Sequence, residues 1–174
     1  MRLPPGPGPG PAPSSFWDPD PSLPIRPPVT DAAVREAERV LGVTLPEALL
    51  ELLRVRDGGV VSARHNAFPI SAPTSWSADH VPLDHLMGAG PDPDRTTLLD
   101  TPYLVEEWGL PSPVVLLDGD GHCWIALDHR LCGPRGEPSV TWLDAELGTE
   151  LPLAPDFRTF LHGLLPENAF PDEP

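Results

Sequence analysis

The sequence has no lysine and no long run of apolar residues. All 11 of its basic residues are arginines, and its formal net charge is −15. A surface this acidic repels the phosphates of nucleic acids and anionic lipid headgroups, so we expect neither as a partner. The same charge attracts a basic protein and speeds its encounter, although it also serves plain solubility.

Cysteine is scarce as well. The two cysteines, Cys123 and Cys132, are too few for a disulfide framework. No stretch approaches the roughly 20 apolar residues that span a bilayer, and the amino terminus lacks the apolar core of a secretion signal. We therefore expect a cytoplasmic protein with reduced thiols and no membrane segment.

Motifs that assemble catalytic groups are also missing. The chain has no Gly-x-Ser-x-Gly turn, no glycine-rich phosphate loop before a helix and no His-Glu-x-x-His motif. Residues 118–121, Asp-Gly-Asp-Gly, begin like a calcium loop, but the glutamate that such a loop needs at its twelfth position is replaced by His129. The sequence therefore predicts no enzyme, no cofactor and no catalytic residue.

Proline is abundant, and 11 of the 27 prolines precede Val29. Their alternation with glycine in residues 5–11 prevents a helix or a central strand. We expect a disordered proline-rich arm over residues 1–28, one folded domain over residues 29–165 and an acidic tail over residues 166–174. For Phe16 and Trp17 two alternatives stay open: a short docking motif, or aromatics packed back on the domain.

Two helices are predicted at the start of the domain. Apolar residues at helical spacing follow Thr30 or Asp31, either of which can cap the first helix, and Gly42 ends it in the left-handed conformation. Pro46 fits the first position of the second helix. The buried stripe of that helix is predicted to be Leu45, Leu49, Leu52 and Leu53.

The rest of the domain is predicted to be mostly strands. Asp57-Gly58-Gly59 ends the second helix and turns the chain into a strand at Val60 and Val61, and another short strand fits residues 68–70. Residues 62–100 otherwise stay unassigned, because proline and glycine interrupt each candidate element. A short helix is predicted over residues 102–108, with Thr101 as its cap and Gly109 at its end.

The clearest strands come next. A hairpin through residues 118–121 joins strands at residues 114–117 and 122–127, and a further strand covers residues 139–143. A closing helix starts at Pro155, with Phe157, Phe160, Leu161, Leu164 and Leu165 at helical spacing. This order predicts an α+β fold, with a largely antiparallel or mixed sheet flanked by helices.

Three segments carry a resemblance to a known family. They are residues 41–59 with Asp57-Gly58-Gly59 at their end, the strand-turn-strand of residues 114–128, and residues 140–144 with the closing helix. In order and spacing they resemble the SUKH superfamily, which includes yeast cell-wall-synthesis regulators and many bacterial immunity proteins. The superfamily usually has Asn-Gly-Gly where this chain has Asp57-Gly58-Gly59.

The resemblance implies a sheet flanked by helices without a catalytic centre. Bacterial members of the superfamily bind a toxin and block its active site, so an immunity protein with a basic toxin domain as partner is expected. A regulatory scaffold that binds an endogenous protein is the alternative. The recurring positions are interpreted as structural and name no contact residue: Gly42, Leu45, Pro46, Gly58, Gly59 and Trp142.

Five acidic side chains near the hairpins are candidates for the partner contact. If their strands are neighbours, the carboxylates form one negative patch that meets a basic toxin. The alternative is a solvated edge that discourages pairing between sheets. The five residues are Asp118, Asp120, Asp128, Asp144 and Glu146.

Zinc-type ligands also cluster in the sequence. His122, Cys123, His129 and Cys132 lie within 11 positions. His129 and Cys132 have a spacing typical of structural zinc, whereas His122 and Cys123 are adjacent on a strand and point to opposite faces. A metal-dependent enzyme that uses this cluster is the second alternative function. A histidine beside Asp79 or Asp84 is the other candidate base.

Overall fold

The computed structural model describes residues 10–171 and confirms the α+β class. The described chain contains four α-helices: α1 (Asp31–Leu41), α2 (Glu47–Leu53), α3 (Thr101–Trp108) and α4 (Phe157–Gly163). Its strands are β1 (Gly59–Val60), β2 (Ala67–Pro69), β3 (His80–Pro82), β4 (His85–Leu86), β5 (Val114–Gly119), β6 (Cys123–Asp128), β7 (Ser139–Asp144) and β8 (Thr149–Ala154). Two short 3-10 helices are Leu98–Asp100 and Glu167–Ala169.

The main sheet is antiparallel and has the order β5-β6-β7-β8. Two smaller antiparallel pairs join β1 to β4 and β2 to β3. The alternation predicted for β6 is confirmed: Cys123, Ile125 and Leu127 face the larger apolar cluster, and Trp124 and Ala126 face a smaller one. Since both faces are covered, every residue of β6 is buried.

The helices divide between the two faces of the main sheet. α1, α2 and α4 contribute to the larger apolar cluster, in which Leu49 and Phe160 are fully buried. α3 packs on the opposite face through Leu104, Val105 and Trp108. None of the helices in residues 10–171 is long and apolar enough to cross a bilayer.

The predicted ends of the first two helices are nearly correct. The Thr30 hydroxyl caps α1 by accepting a hydrogen bond from the Ala33 N–H, and Gly42 ends the helix in the left-handed conformation. α2 begins one residue later than predicted, with Pro46 as the extended residue before it. The four leucines of the predicted stripe, Leu45, Leu49, Leu52 and Leu53, are buried.

The prediction that Thr101 caps α3 was wrong. The 3-10 helix Leu98–Asp100 runs directly into α3, and Thr97 caps it with a hydroxyl that accepts from the Leu99 N–H. The Thr101 hydroxyl instead accepts a hydrogen bond from the Leu116 N–H at 3.1 Å, which ties α3 to β5. A continuous helical run has no free N–H groups at this point, so a cap there has nothing to satisfy.

The carboxy-terminal part also departs from prediction in two places. α4 begins at Phe157, capped by Asp156, and ends before Leu165. Leu165 is 43% exposed and exchanges two backbone hydrogen bonds with Ala67, so it does not lie on the buried helical face. The sequence did not predict β8, an edge strand with Pro152 in its interior, because proline weakens the strand signal.

Phe16 and Trp17 take the second of their two alternatives and pack on the domain. Phe16 is fully buried, and Trp17 is 3% exposed in the same apolar cluster as α2. The Trp17 indole N–H donates to the Leu52 carbonyl at 3.2 Å, and Trp17 forms a β-bridge with Val61. The folded body therefore begins before Val29. Residues 1–9 and 172–174, in the predicted arm and tail, lie outside the described residues.

Candidate functional site

Asp57 lies in the turn between α2 and β1 and is 4% exposed. Its carboxylate oxygens accept hydrogen bonds from the N–H groups of Ala89 at 2.7 Å and Gly90 at 3.0 Å, and the Arg26 guanidinium lies 3.5 Å away. Asparagine offers only one acceptor oxygen. Aspartate therefore fits this chain, because two donors and a guanidinium converge on the side chain.

Gly58, the next residue, lets two segments approach closely. Its φ of +92° disfavours other side chains, and a Cβ there would lie 2.6 Å from the Gly88 backbone nitrogen. The turn and residues 88–90 consequently lie against each other, and β1 can pair with β4 directly beyond them. Glycine therefore suits this position, and the structural role of Gly58 stays a prediction.

The turn, β4 and the β5–β6 hairpin enclose two adjoining cavities. The larger, about 520 Å³, is the apolar chamber, and its lining includes Leu23, Val60, Leu86, Met87 and Trp124. The smaller, about 340 Å³, is the acidic chamber, lined by Trp76, Pro82, Asp84, His85, Asp118, Gly119 and Asp120. His85, Asp118 and Gly119 line both chambers, so the chambers adjoin at these three residues, and together they are called the groove.

Asp118 lies at the junction of the two chambers. Burial raises the pKa of its carboxyl to about 7, against the hydrogen bonds from the backbone N–H groups of His85 and Gly119, which lower it. Burial also raises the pKa of Asp84, and the nearby carboxylate of Glu167 adds to this. Among residues 10–171, neither aspartate forms an ion pair with an arginine.

Asp120 is two residues further along the hairpin and has the opposite pKa shift. Burial works to raise the pKa of Asp120, but hydrogen bonds from the Cys123 N–H, the Trp76 indole and the His122 N–H lower it overall. The Trp76 indole N–H donates to Asp120 at 2.9 Å. Asp120 therefore fixes Trp76 as a wall of the acidic chamber.

The five predicted contact carboxylates do not form one patch. Asp144 lies opposite Cys123 in the β6–β7 register, near the hairpin. Asp128 lies opposite Ser139, at the other end of β6. At about 3.3 Å per residue the two ends of this six-residue strand are roughly 16 Å apart. Asp118 and Asp120 meet Asp84 in the groove instead.

The remaining predicted carboxylates have local structural contacts or stand apart. Asp144 is 3% exposed and accepts hydrogen bonds from the Ser75 hydroxyl and the Leu147 N–H, both at 2.9 Å. Glu146 is exposed in the turn between β7 and β8. A contact role for Asp118, Asp120, Asp128, Asp144 and Glu146 stays a prediction.

The sequence reasoning missed Trp76 and Asp84 as members of the site. Both lie in residues 62–100, where no element was assigned. The β2–β3 and β1–β4 pairs bring this segment against the hairpin, so the proximity depends on long-range pairing. The only sequence signal was the mixture of tryptophan, histidine and aspartate between turn residues.

The zinc-type residues do not converge, so the proposed cluster is wrong. His122 and Cys123 lie at the hairpin end of β6, and His129 and Cys132 lie beyond its other end. Cys132 Sγ and His129 Nδ1 are 3.8 Å apart, and burial raises the pKa of the Cys132 thiol. In residues 10–171 no group of three or more His, Cys, Asp or Glu side chains is arranged to hold a metal ion.

The histidine candidates have one carboxylate pairing that sequence reasoning anticipated. His80 Nδ1 lies 2.8 Å from Asp79 and 3.2 Å from the Ser77 hydroxyl. A serine triad needs its serine and its aspartate on opposite ring nitrogens, but here both contact the same one. His80 Nε2 faces Glu167 at 3.5 Å, and the ring stacks on Phe170. This group holds the carboxy-terminal segment and does not form a triad.

Comparison with known proteins identifies the family. Residues 28–163 match the model of the SMI1 / KNR4 family (SUKH-1). The chain belongs to this family. SUKH-1 proteins are associated with toxin immunity or SMI1/KNR4-like roles, and the domain is generally non-catalytic. A comparison with curated proteins found no match.

The SUKH-1 match covers most but not all of the groove. The turn at Asp57, β4 and the hairpin lie inside residues 28–163. Leu23, Pro24 and Arg26, which line one side of the apolar chamber, precede the matched region. One wall of the groove is therefore built by sequence outside the SUKH-1 match.

Proposed function

We propose that this SUKH-1 domain is an immunity protein, which binds a basic bacterial toxin domain in the cytoplasm and blocks the toxin's active site. The protein performs no reaction in this role; the work is done by stable association. The observation that carries the proposal is membership of a family associated with toxin immunity. The net charge of −15 supports a basic partner.

The organisation of the hairpin supports association rather than chemistry. The carboxylates and thiols that sequence reasoning singled out are divided between the two ends of β6. The groove has apolar walls and an acidic end, which resembles the composition of a recognition surface. A protein that binds a basic toxin domain needs such a surface and no reacting group.

The test takes the genes that neighbour this one, selects those that encode a toxin-like domain and expresses each with and without this chain. Cells that express that domain should survive when this chain is co-expressed. The purified pair should associate, and the affinity should fall as salt rises from about 0.05 M to about 0.5 M, because screening weakens the attraction of opposite charges. Failure to protect against any neighbouring toxin gene would count against immunity.

The alternative, a scaffold for an endogenous protein, is tested by a short deletion at the amino terminus. Removal of residues 1–28 would take away Phe16 and Trp17, both of which are core residues. Removal of residues 1–9 leaves every contact described above in place. If the short deletion abolishes partner binding, the scaffold that acts through its amino-terminal residues is favoured; retained binding assigns the interaction to the folded domain.

A further inference from the structure

We propose that the groove is the partner-contact surface, and that it takes an extended protein segment in which a basic residue lies beside an apolar one. This inference rests on the proposed function and names the surface that performs it. Three features support it: the two chambers adjoin, their charges are separated along the groove, and the acidic chamber presents groups that suit a cation.

The first feature is the shape and lining of the groove. The chambers of about 520 Å³ and about 340 Å³ share His85, Asp118 and Gly119 as lining residues, so a segment that lies across these three residues borders both chambers. The apolar chamber presents Leu86, Met87 and Trp124, which match an aliphatic or aromatic side chain. Pockets that combine such walls with few polar groups are typical of recognition sites.

The second feature is the segregation of charge, which fixes the direction of the occupant. Both arginines of the groove, Arg26 and Arg95, line the apolar chamber, and Arg26 is already paired with Asp57 and Asp92. The acidic chamber has three aspartates and no arginine in its lining. A basic side chain of the partner is therefore drawn to the acidic chamber.

The third feature is the geometry that a cation would meet there. Trp76 is held by Asp120 and forms one wall, and a tryptophan face attracts a guanidinium or ammonium group. Asp84 and Asp118 can accept its N–H donors. The pKa values of both carboxyls are raised by burial, so a bound cation would relieve the cost of ionising them.

The probe for this surface is the blocked peptide acetyl-Gly-Leu-Arg-Gly-amide, with citrulline in place of arginine as the matched control. Binding to the full chain is followed by backbone amide shifts in NMR spectra of isotope-labelled protein. We expect the shifts to cluster in residues 58–60, 85–88 and 118–119. The citrulline peptide should bind at least about 10-fold more weakly, because it keeps the shape and loses the charge.

Protein variants separate this groove from general acidity. Asp84→Asn and Asp118→Asn should each weaken peptide binding several-fold, while Glu146→Gln removes the same charge outside the groove and should leave it unchanged. Asp84 is only partly covered by its neighbours, so its substitution should not disrupt folding. If Asp84→Asn and Glu146→Gln weaken binding equally, the net charge of the protein alone explains the attraction and the proposal is overturned.

Three other outcomes overturn it as well: no amide shifts at saturating peptide, shifts centred elsewhere, or equal binding of the citrulline peptide. If the same amides move on dilution of the protein alone, a second copy occupies the groove and the proposed occupant is wrong. If the chain protects from the toxin but the peptide shifts no amides in the groove, the groove is not the contact surface and the immunity function stands. If the peptide shifts amides in the groove but the chain does not protect, the groove binds such a segment and the immunity function is wrong.

Discussion

Two carboxylates at opposite ends of the main sheet, Asp128 and Asp118, are held in opposite ways. At one end, Asp128 is 9% exposed and receives two hydrogen bonds from the Arg130 side chain, at 3.0 Å and 2.8 Å. Arg130 also reaches Glu150 on β8 at 2.9 Å. At the hairpin end, Asp118 and Asp84 lie in the groove without an arginine partner among the described residues. The carboxylate at the first end has its arginine partner within the protein, whereas the two at the second end have none among the described residues.

The pKa values record the same contrast. Burial works to raise the pKa of Asp128, but the hydrogen bonds from Arg130 lower it overall. Burial raises the pKa of Asp118 to about 7. A carboxylate that is fully compensated inside the protein serves stability, whereas one that is left uncompensated is a candidate for contact with something outside. The comparison therefore favours the hairpin end as the functional one.

The largest effect is expected at the compensated end. Asp128→Asn should lower the free energy of unfolding by about 2–3 kcal/mol, because it breaks a nearly buried charge-assisted pair and leaves Arg130 short of an acceptor. Urea unfolding at pH 7 measures this. Peptide binding in the groove should not change, and a parallel loss of binding would mean that the two ends are coupled.

The next effect has the opposite sign. Asp118→Asn should raise the free energy of unfolding at pH 8 by about 1–2 kcal/mol, because it removes an uncompensated charge. Partial exposure to solvent screens that charge and limits the gain. The same variant weakens binding in the groove if our proposal is correct. A loss of stability at pH 8 would show that the carboxylate is compensated after all.

The pH dependence of the wild-type protein follows from the same group. The folded state holds the Asp118 proton up to about pH 7, whereas the unfolded chain releases it near 3.8. Between these values the folded state binds more protons, so this contribution to stability is present below the lower value and is lost as pH rises through the upper one. Thermal unfolding of wild type and Asp118→Asn from pH 4 to pH 8 should show a stability difference that moves in favour of the variant as pH rises, because the other titrating groups are common to both proteins.

Asp128 gives the opposite pH dependence and serves as the internal control. Its folded-state pKa is lowered, so its contribution is present above the ordinary value of 3.8 and is lost as pH falls through the folded value. Asp128→Asn should therefore flatten the stability curve on the acid side, below about pH 4. A change confined to pH 5–8 would contradict this assignment.

The smallest effect is expected from the exposed carboxylate in the β7–β8 turn. Glu146→Gln should change the free energy of unfolding by less than about 0.5 kcal/mol, as is usual for surface positions away from specific contacts. Differential scanning calorimetry measures this. A larger change would assign Glu146 a structural contact that the sheet end does not show.

Local sequence signals predicted the elements that local physics determines. The cap at Thr30, the left-handed Gly42 and the alternation of β6 each depend on residues within one turn or one strand. The contrast between Asp118 and Asp128 is different. Alternation places a side chain on a face, but whether a guanidinium reaches it depends on Arg130 folding back and on β8 lying beside β7.

The groove was hidden from the sequence for the same reason. Its walls come from residues 23–26, 57–60, 76–88, 95–96 and 118–124, which meet through the pairing of β1 with β4 and through the packing of the hairpin. Proline and glycine obscured the short strands of the middle segment. A single sequence shows that residues 84 and 76 are an aspartate and a tryptophan, but it does not show which residues lie beside them in space.

The short segment from Val61 to Ala67 receives both flanks of the chain. Trp17 bridges to Val61, and Leu165 bridges to Ala67. Detachment of either flank would expose the strand pairs between them, so we expect the domain to unfold cooperatively. A fluorescent label near either end would consequently report a single shared transition, and an instability introduced at one flank would be felt at the other.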